Sequence, residues 1–256
     1  MDMSKAFDMV DWFQLFTELR KRKVEPIYLR LMLYIYKHQR YEVKWGNSRS
    51  DQFTVNNGVR QGAASSAILF AVYIDELLGL LRESRLGCYI DSVFVGVFIF
   101  ADDILLLSAS RPGLQSLVNI CHQFASTKNL KFGTHVDPSK SKTKCIVFGK
   151  RSKSYVDPAP IILAGISLPW VSKITYLGCI LDYDNSMKSD MINKRGQFIG
   201  KVNALLQEFH YVNQDLLLKL INVYASSFYG SCLWNLHSKE VERLYTSWNV
   251  MVRNVF

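Results

Sequence analysis

Residues 98–107 read FIFADDILLL. Two apolar runs are joined only by Ala101, Asp102 and Asp103, the spacing of a tight turn between two buried strands. An uncompensated buried charge is costly, and two carboxylates side by side repel. One of the pair should stay protonated unless a cation joins them. A divalent ion bound by oxygen ligands resolves the conflict, and Mg²⁺ typically takes one or two carboxylates together with substrate phosphates. On these ten residues alone a solvated Asp-Asp turn carries about equal weight, because Asp is a common turn residue.

Around this hairpin the pattern alternates between helix and strand. Residues 11–23 have helical spacing, with Trp12, Leu15, Phe16 and Leu19 on one face and Asp11 and Gln14 spaced as a capping box. Pro26 opens a second helix to 37. Residues 41–45 and 52–55 read as a hairpin closed by Gly46-Asn47, 56–66 as a glycine-containing loop, and 67–81 as an apolar helix. Strands are expected over 88–100, 104–108, 144–148 and 174–181, a helix over 112–128, and loops at Asp137-Pro138 and 150–160. Helices follow over 187–209, 215–229 and 239–256. The organisation is α+β to about 181 and helical afterwards, which places the domain cut at 182–186: domains 1–181 and 187–256.

Composition narrows the partner class. The net charge is +9, which suits a nucleic-acid or anionic-membrane partner. Between 128 and 201 there are thirteen Lys/Arg against five Asp/Glu, so that stretch carries most of the surplus, as a phosphate-contacting region would. The five cysteines have neither metal-knuckle spacing nor a dense disulfide pattern. They read as reduced thiols of an intracellular protein, Cys145 and Cys179 as core. The first residues are polar, unlike a signal peptide, and the most apolar stretch, 93–107, is too short and acidic to span a membrane.

Two further segments bear on chemistry. In DMSKAFD (2–8), Asp2 lies five positions before Phe7, although Asp8 and Asp11 also suit helix caps. In NNGVRQGAASS (56–66), Gly58 and Gly62 permit close backbone approach to a ligand while Arg60 and Gln61 offer donors. A plain turn into a buried helix is the bland alternative.

The order SKAFD, GVRQG, FADD, KSKTK and YLG is specific in combination. It resembles the reverse transcriptases of the non-LTR (LINE-type) retrotransposon family, by motif from 2 to about 181 and by position only in the helical remainder. The resemblance implies a right-hand palm followed by a helical thumb, and RNA-templated DNA synthesis from a primer 3′-hydroxyl. Asp2 and Asp102 would hold two Mg²⁺ ions (Mn²⁺ as substitute), with Asp103 in support and the Met3 carbonyl facing a metal. Phe7 corresponds to the ring that excludes a 2′-hydroxyl; its bland alternative is core packing. Arg60, Gln61 and Gly62 correspond to the nucleotide-contacting motif. Lys142 corresponds to the motif lysine, with Lys140 and Lys144 as alternative registers. Tyr176, Leu177 and Gly178 correspond to the primer grip. The implied partners are an RNA template, a DNA primer and dNTPs, with no membrane, in nucleus or cytoplasm. The implied oligomeric state is open.

Two departures stand against the family pattern. GAASSA replaces the usual Cys-Pro-Leu-Ser-Pro after the glycine. The chain also begins at the first motif, so the fingers are expected to be missing, and with them most of the synthesis by this chain alone. A catalytically inactive nucleic-acid-binding relic is the rival reading. A Mg²⁺ phosphohydrolase is a third, disfavoured because it has no need of the GVRQG and YLG segments.

Overall fold

A computed structural model describes residues 1–149 and 159–256. It divides into unit 1, Met1–Lys144 and Pro158–Pro169, and unit 2, Cys145–Asp157 and Trp170–Phe256. Most of the loop expected at 150–160 lies outside the described residues.

In unit 1, α1 (Trp12–Lys21) starts where the Asp11 carboxylate accepts from the Gln14 N–H at 2.8 Å, and it buries Leu15 and Leu19. Helix α2 (Pro26–His38) has proline in its first turn and buries Tyr36. Strands β1 (Lys44–Trp45) and β2 (Ser48–Arg49) turn at Gly46-Asn47, and a bridge from Tyr41 to Phe53 extends the pairing. Helix α3 (Ser66–Glu83) is the centre of the unit. It buries Leu69, Phe70, Tyr73, Ile74, Leu77 and Leu81 and packs against α1 and the later helix α4 (Arg111–Thr127). An apolar stripe this broad can only be accommodated by helices on both sides.

The strand expected over 88–100 is broken. Strands β3 (Tyr89–Ile90) and β4 (Val93–Phe94) form their own hairpin because Asp91 takes a left-handed φ of 53°, a conformation Asp tolerates. Strands β5 (Val97–Phe100) and β6 (Asp103–Leu106) then pair, with Phe100 opposite Asp103. Strands β7 (Ile161–Leu163) and β8 (Ile166–Leu168) form a hairpin absent from the sequence expectations. It packs on α4. There the Gln115 side chain both donates to the Ile162 carbonyl and accepts from the Ile162 N–H, each at 2.8 Å, imitating a neighbouring strand.

Residues 1–4 are extended and paired on both sides. On one side Ile104 N–H donates to the Met1 carbonyl (2.9 Å) and Met3 N–H to the Asp102 carbonyl (3.2 Å). On the other, Gly133 N–H donates to the Asp2 carbonyl and Ser4 N–H to the Lys131 carbonyl, both 2.8 Å. The N-H groups of Lys142 and Thr143 in turn reach the Gly133 carbonyl. The β5–β6 hairpin is thus continued by three short extended segments.

In unit 2, the strand expected at 144–148 is reduced to a parallel bridge between Cys145 and Trp170. Strands β9 (Lys173–Tyr176) and β10 (Cys179–Asp182) form a tight hairpin. Helices α5 (Lys188–Glu208), α6 (Gln214–Leu220) and α7 (Lys239–Arg253) follow. The helix expected to 229 ends sooner, in a π-helical turn at Ile221–Ala225 that keeps both end residues buried. Phe198, Val202, Leu217, Ile221, Ala225 and Val255 form one core cluster, and Met187, Met191, Trp234 and Leu244 another. Cys145 and Cys179 are buried, in keeping with core thiols. Among the described residues no helix is long and apolar enough to cross a membrane.

Candidate active site

Asp2 and Asp103 face each other as an antiparallel bridge pair, 101 positions apart in sequence. Asp102 occupies the β5–β6 turn and is tied to the same segment through its carbonyl. The turn begins with Ala101 at φ 52°, a left-handed conformation that costs a non-glycine residue energy. The turn sets Asp103 opposite Asp2, with Asp102 near enough for its charge to act on the Asp103 carboxyl.

The electrostatics of the cluster are unbalanced. Burial and then the Asp102 charge push the Asp103 carboxyl up from its ordinary 3.8; the Met1 ammonium opposes the rise and Asp2 adds to it. Asp2 Oδ2 is buried and has no hydrogen-bond partner among the described residues. Lys142 Nζ, at 3.7 Å from that oxygen, is within Coulomb reach but beyond hydrogen-bond length. An orphaned carboxylate oxygen next to a second carboxyl is a donor set suited to a hard divalent cation. Among the described residues, no three His, Cys, Asp or Glu side chains are grouped to hold a metal unaided. Mg²⁺ sites commonly take one or two carboxylates and fill the remainder with phosphate oxygen and water, so the group still fits.

Two residues not anticipated from sequence shape this locus. A Cβ on Gly133 would lie 2.9 Å from Asp2 Oδ2 and 3.1 Å from Lys142 Cβ, so a side chain there would displace the carboxylate. Thr143 is fully buried, and its Oγ1 accepts from the Asp2 N–H at 3.4 Å.

The 56–62 loop is clamped to the segment after Asp2. Val59 N–H donates to the Phe7 carbonyl at 2.8 Å, and Gly58 N–H to the Val10 carbonyl at 2.7 Å. A Cβ on Gly58 would meet the Phe7 and Asp8 backbone at 3.0 Å. Gln61 Nε2 donates to Asp8 Oδ1 at 3.2 Å. Arg60 and Gly62 are exposed, and the space beside Gly62 is open. The Phe7 ring is half-buried and stacks on Phe70 with centroids 5.0 Å apart. Met3 is buried and bridges Phe132. Of the alternating lysines, Lys142 reaches Asp2, whereas Lys140 pairs with Asp137 at 3.9 Å.

The basic surplus is partly spent internally. Lys128 is buried and pairs with Glu76 at 3.2 Å; Lys173 pairs with Asp182 and Lys188 with Glu240. Tyr176, Leu177 and Gly178 belong to unit 2, at the β9–β10 turn. Leu177 and Gly178 both have positive φ, 45° and 77°, as a two-residue hairpin turn of the primed kind requires.

Comparison with known proteins bears on what this arrangement is. A family profile described as "Reverse transcriptase (RNA-dependent DNA polymerase)" matches residues 1–181. The chain is 28% identical over 159 residues to the Retrovirus-related Pol polyprotein from type-1 retrotransposable element R2 of Nasonia vitripennis, covering 61% of this chain and 15% of that protein. It is 29% identical over 157 residues to the type-2 element R2DM polyprotein of Drosophila melanogaster, covering 59% and 15%. It is 27% identical over 184 residues to the Transposon TX1 uncharacterized 149 kDa protein of Xenopus laevis, covering 71% and 13%. The chain thus spans about 15% or less of the curated relatives it matches. With most of its length inside the matched profile, the chain belongs to the reverse transcriptase family, of the non-LTR retrotransposon kind.

Proposed function

We propose that this chain carries the palm of an RNA-directed DNA polymerase, with a helical thumb beginning after the β9–β10 hairpin, and that Asp2, Asp102 and Asp103 are its reaction centre. The observation that carries this reading is the convergence of Asp2 and Asp103 with Asp2 Oδ2 left unsatisfied. Asp2, Asp102 and the Met3 carbonyl would hold two divalent cations, with Asp103 in support. When bound, these cations supply Lewis-acid stabilisation of the attacking and leaving oxygens. The primer 3′-hydroxyl would lose its proton to water as its oxygen forms a bond to the α-phosphorus of the dNTP, and the bond to pyrophosphate breaks.

The chain's own residues do the rest. Lys142, beside Asp2, is placed to give its proton to the departing pyrophosphate. Phe7, braced by Phe70, excludes a 2′-hydroxyl by its bulk. Gln61, steadied by Asp8, offers a donor to the nucleotide, with Arg60 and Gly62 beside it. Tyr176, Leu177 and Gly178 receive the primer terminus. RNA template, DNA primer and dNTP are the partners.

The test is primer extension on an RNA template. Asp102→Asn should reduce extension by about 10³-fold or more, because electrostatic stabilisation is usually the largest single contribution to such a reaction. Mg²⁺ should also raise the melting temperature of the wild-type chain and not of Asp2→Asn. Undiminished extension by Asp102→Asn, or an equal Mg²⁺ response in both chains, would overturn the proposal.

A further inference from the structure

The β9–β10 turn is held by more contacts than a short surface hairpin needs. Gly178 accepts at its carbonyl from Lys194 Nζ at 3.0 Å. The same ammonium lies 5.9 Å from the centroid of the Tyr229 ring, within cation–π range. Tyr229 itself stands where a Cβ on Gly178 would touch it at 3.8 Å. Next to the turn, a Cβ on Gly230 would lie 2.4 Å from Cys179 Sγ, so only glycine fits there.

Lys194 is delivered to this place by a rigid mount. Asp190, one helical turn earlier on the same face of α5, is fully buried. Its Oδ1 accepts from Ile180 N–H at 3.0 Å and its Oδ2 from Trp234 Nε1–H at 2.9 Å. Asp182 Oδ2 accepts from Ser189 N–H at 2.9 Å. Helix α5 is therefore bolted to β10 at two points, and Lys194 projects from the bolted face to the tip.

The tip needs holding. Leu177 at φ 45° is a branched residue in a conformation that L-residues avoid, so the turn has alternatives of lower local energy. Asp190 already welds the strands to the helix. A half-exposed lysine contributes little to overall stability, but its hydrogen bond selects one conformation of Leu177–Gly178.

We propose that Lys194 is the positioning residue of this turn, fixing Leu177 and Gly178, through the Gly178 carbonyl and the Tyr229 ring, in the conformation that receives a primer 3′ end. This rests on the primer-grip reading of Tyr176, Leu177 and Gly178 given above. The chemical partner is the recessed 3′ terminus of a duplex, as opposed to a single strand.

The test uses the full chain with Lys194→Met and Lys194→Arg. Two measurements are made: amide hydrogen exchange over 176–180, and fluorescence anisotropy with a duplex bearing a recessed 3′ end and with a single strand. Lys194→Met should speed exchange at the turn and weaken recessed-end binding by about 5–10-fold. Single-strand binding and the melting temperature should stay unchanged, and Lys194→Arg should recover binding to within about two-fold. Unchanged exchange in Lys194→Met overturns the inference whatever the chain's function is. Faster exchange with unchanged recessed-end binding overturns the primer-grip reading, and the positioning role with it, while leaving the assignment of Asp2, Asp102 and Asp103 standing. Equal loss for duplex and single strand, or no recovery by arginine, also overturns it.

Discussion

Two hairpins of this chain are built alike and finished differently. Both the β5–β6 and β9–β10 turns have two residues and open with a non-glycine residue at positive φ, Ala101 at 52° and Leu177 at 45°. Each has an aspartate arriving from elsewhere in the sequence. At β9–β10 the newcomer is Asp190, whose two oxygens accept from Ile180 N–H and Trp234 Nε1–H. At β5–β6 it is Asp2, which faces another carboxyl and keeps an oxygen with no hydrogen-bond partner among the described residues. Buried polar groups are nearly always satisfied. On the function proposed above, the carboxylate that the protein satisfies is architecture, and the one left unsatisfied among like charges is a place for a cation. On that proposal the same residue type does opposite work in the two units, and donor geometry distinguishes them where sequence position does not.

The comparison breaks most readily at the satisfied carboxylate. Asp190→Ala strands two buried N–H donors and should cost about 2–4 kcal/mol in chemical denaturation. Asp2→Asn relieves repulsion with Asp103 and should change stability by less than about 0.5 kcal/mol while abolishing the Mg²⁺ response. Similar losses from both substitutions would mean that Asp2 is architectural too.

Gly133→Ala should come next. Its Cβ would intrude on Asp2 Oδ2 at 2.9 Å and on the Lys142 stem. Overpacking of this kind costs about 1–3 kcal/mol when neighbours cannot yield. The Lys142 side chain is exposed and can swing away, so about 1 kcal/mol is expected. The larger effect falls on primer extension, about 10²-fold for a displacement near 1 Å. A fully active Gly133→Ala chain would show that the Asp2 carboxylate need not sit where it does.

What could be read from sequence, and what could not, follows the same divide. The β5–β6 hairpin was legible because two apolar runs flank a two-residue turn. The 56–62 loop was legible from its glycines. The family resemblance rests on motif order, which also pointed to Asp2. Gly133 and Thr143 were not legible, since each matters only through pairing with Asp2 some 130 to 140 positions away. Strands β7 and β8 have three residues each, too few for a periodicity to register, and their support comes from Gln115 on α4. Asp190 looked like any polar residue in the first turn of a helix. Among Lys140, Lys142 and Lys144, alternation leaves the choice open, and a contact with Asp2 at 3.7 Å singles out Lys142 only as the one beside that carboxylate.

The pH dependence of stability sharpens the carboxylate side of the comparison. Asp103 has its carboxyl pushed above 3.8 by burial and by Asp102 and Asp2. The folded chain therefore binds its proton more tightly than the unfolded chain does. Stability contributed by protonated Asp103 is present below 3.8 and is lost as pH rises through the higher folded value. Asn cannot ionise, so the advantage of Asp103→Asn over wild type should be small at low pH, grow through that window, and level off. At neutral pH without divalent ions the melting temperature of Asp103→Asn should exceed wild type by about 1–2 °C. Adding Mg²⁺ should narrow the gap, because the cation stabilises only the chain with all its carboxylates. A gap that is constant with pH would mean that Asp103 is not held among like charges.

The smallest expected effect lies in the turn itself. Ala101 at φ 52° places its Cβ against the following carbonyl, and glycine would remove that clash. Glycine also enlarges the conformational freedom of the unfolded chain, at a cost of about 0.5–1 kcal/mol. The two contributions nearly cancel, so Ala101→Gly should alter stability by no more than about 0.5 kcal/mol, and Leu177→Gly should behave similarly. Their functional consequences should differ. A glycine before Asp102 lets the turn sample other conformations and loosens the carboxylates presented beside Asp2, so extension should fall a few-fold at saturating primer. At Leu177 the turn remains tied by the Lys194 ammonium and the Asp190 mount, so loosening is confined to the tip and should appear in primer affinity, with the saturated rate unchanged. Strain at a functional turn is retained when it fixes a geometry that the unstrained backbone would leave to chance. An Ala101→Gly chain that is as fast as wild type would show that the strain at Ala101 is incidental and that pairing with Met1–Met3 alone places the aspartates.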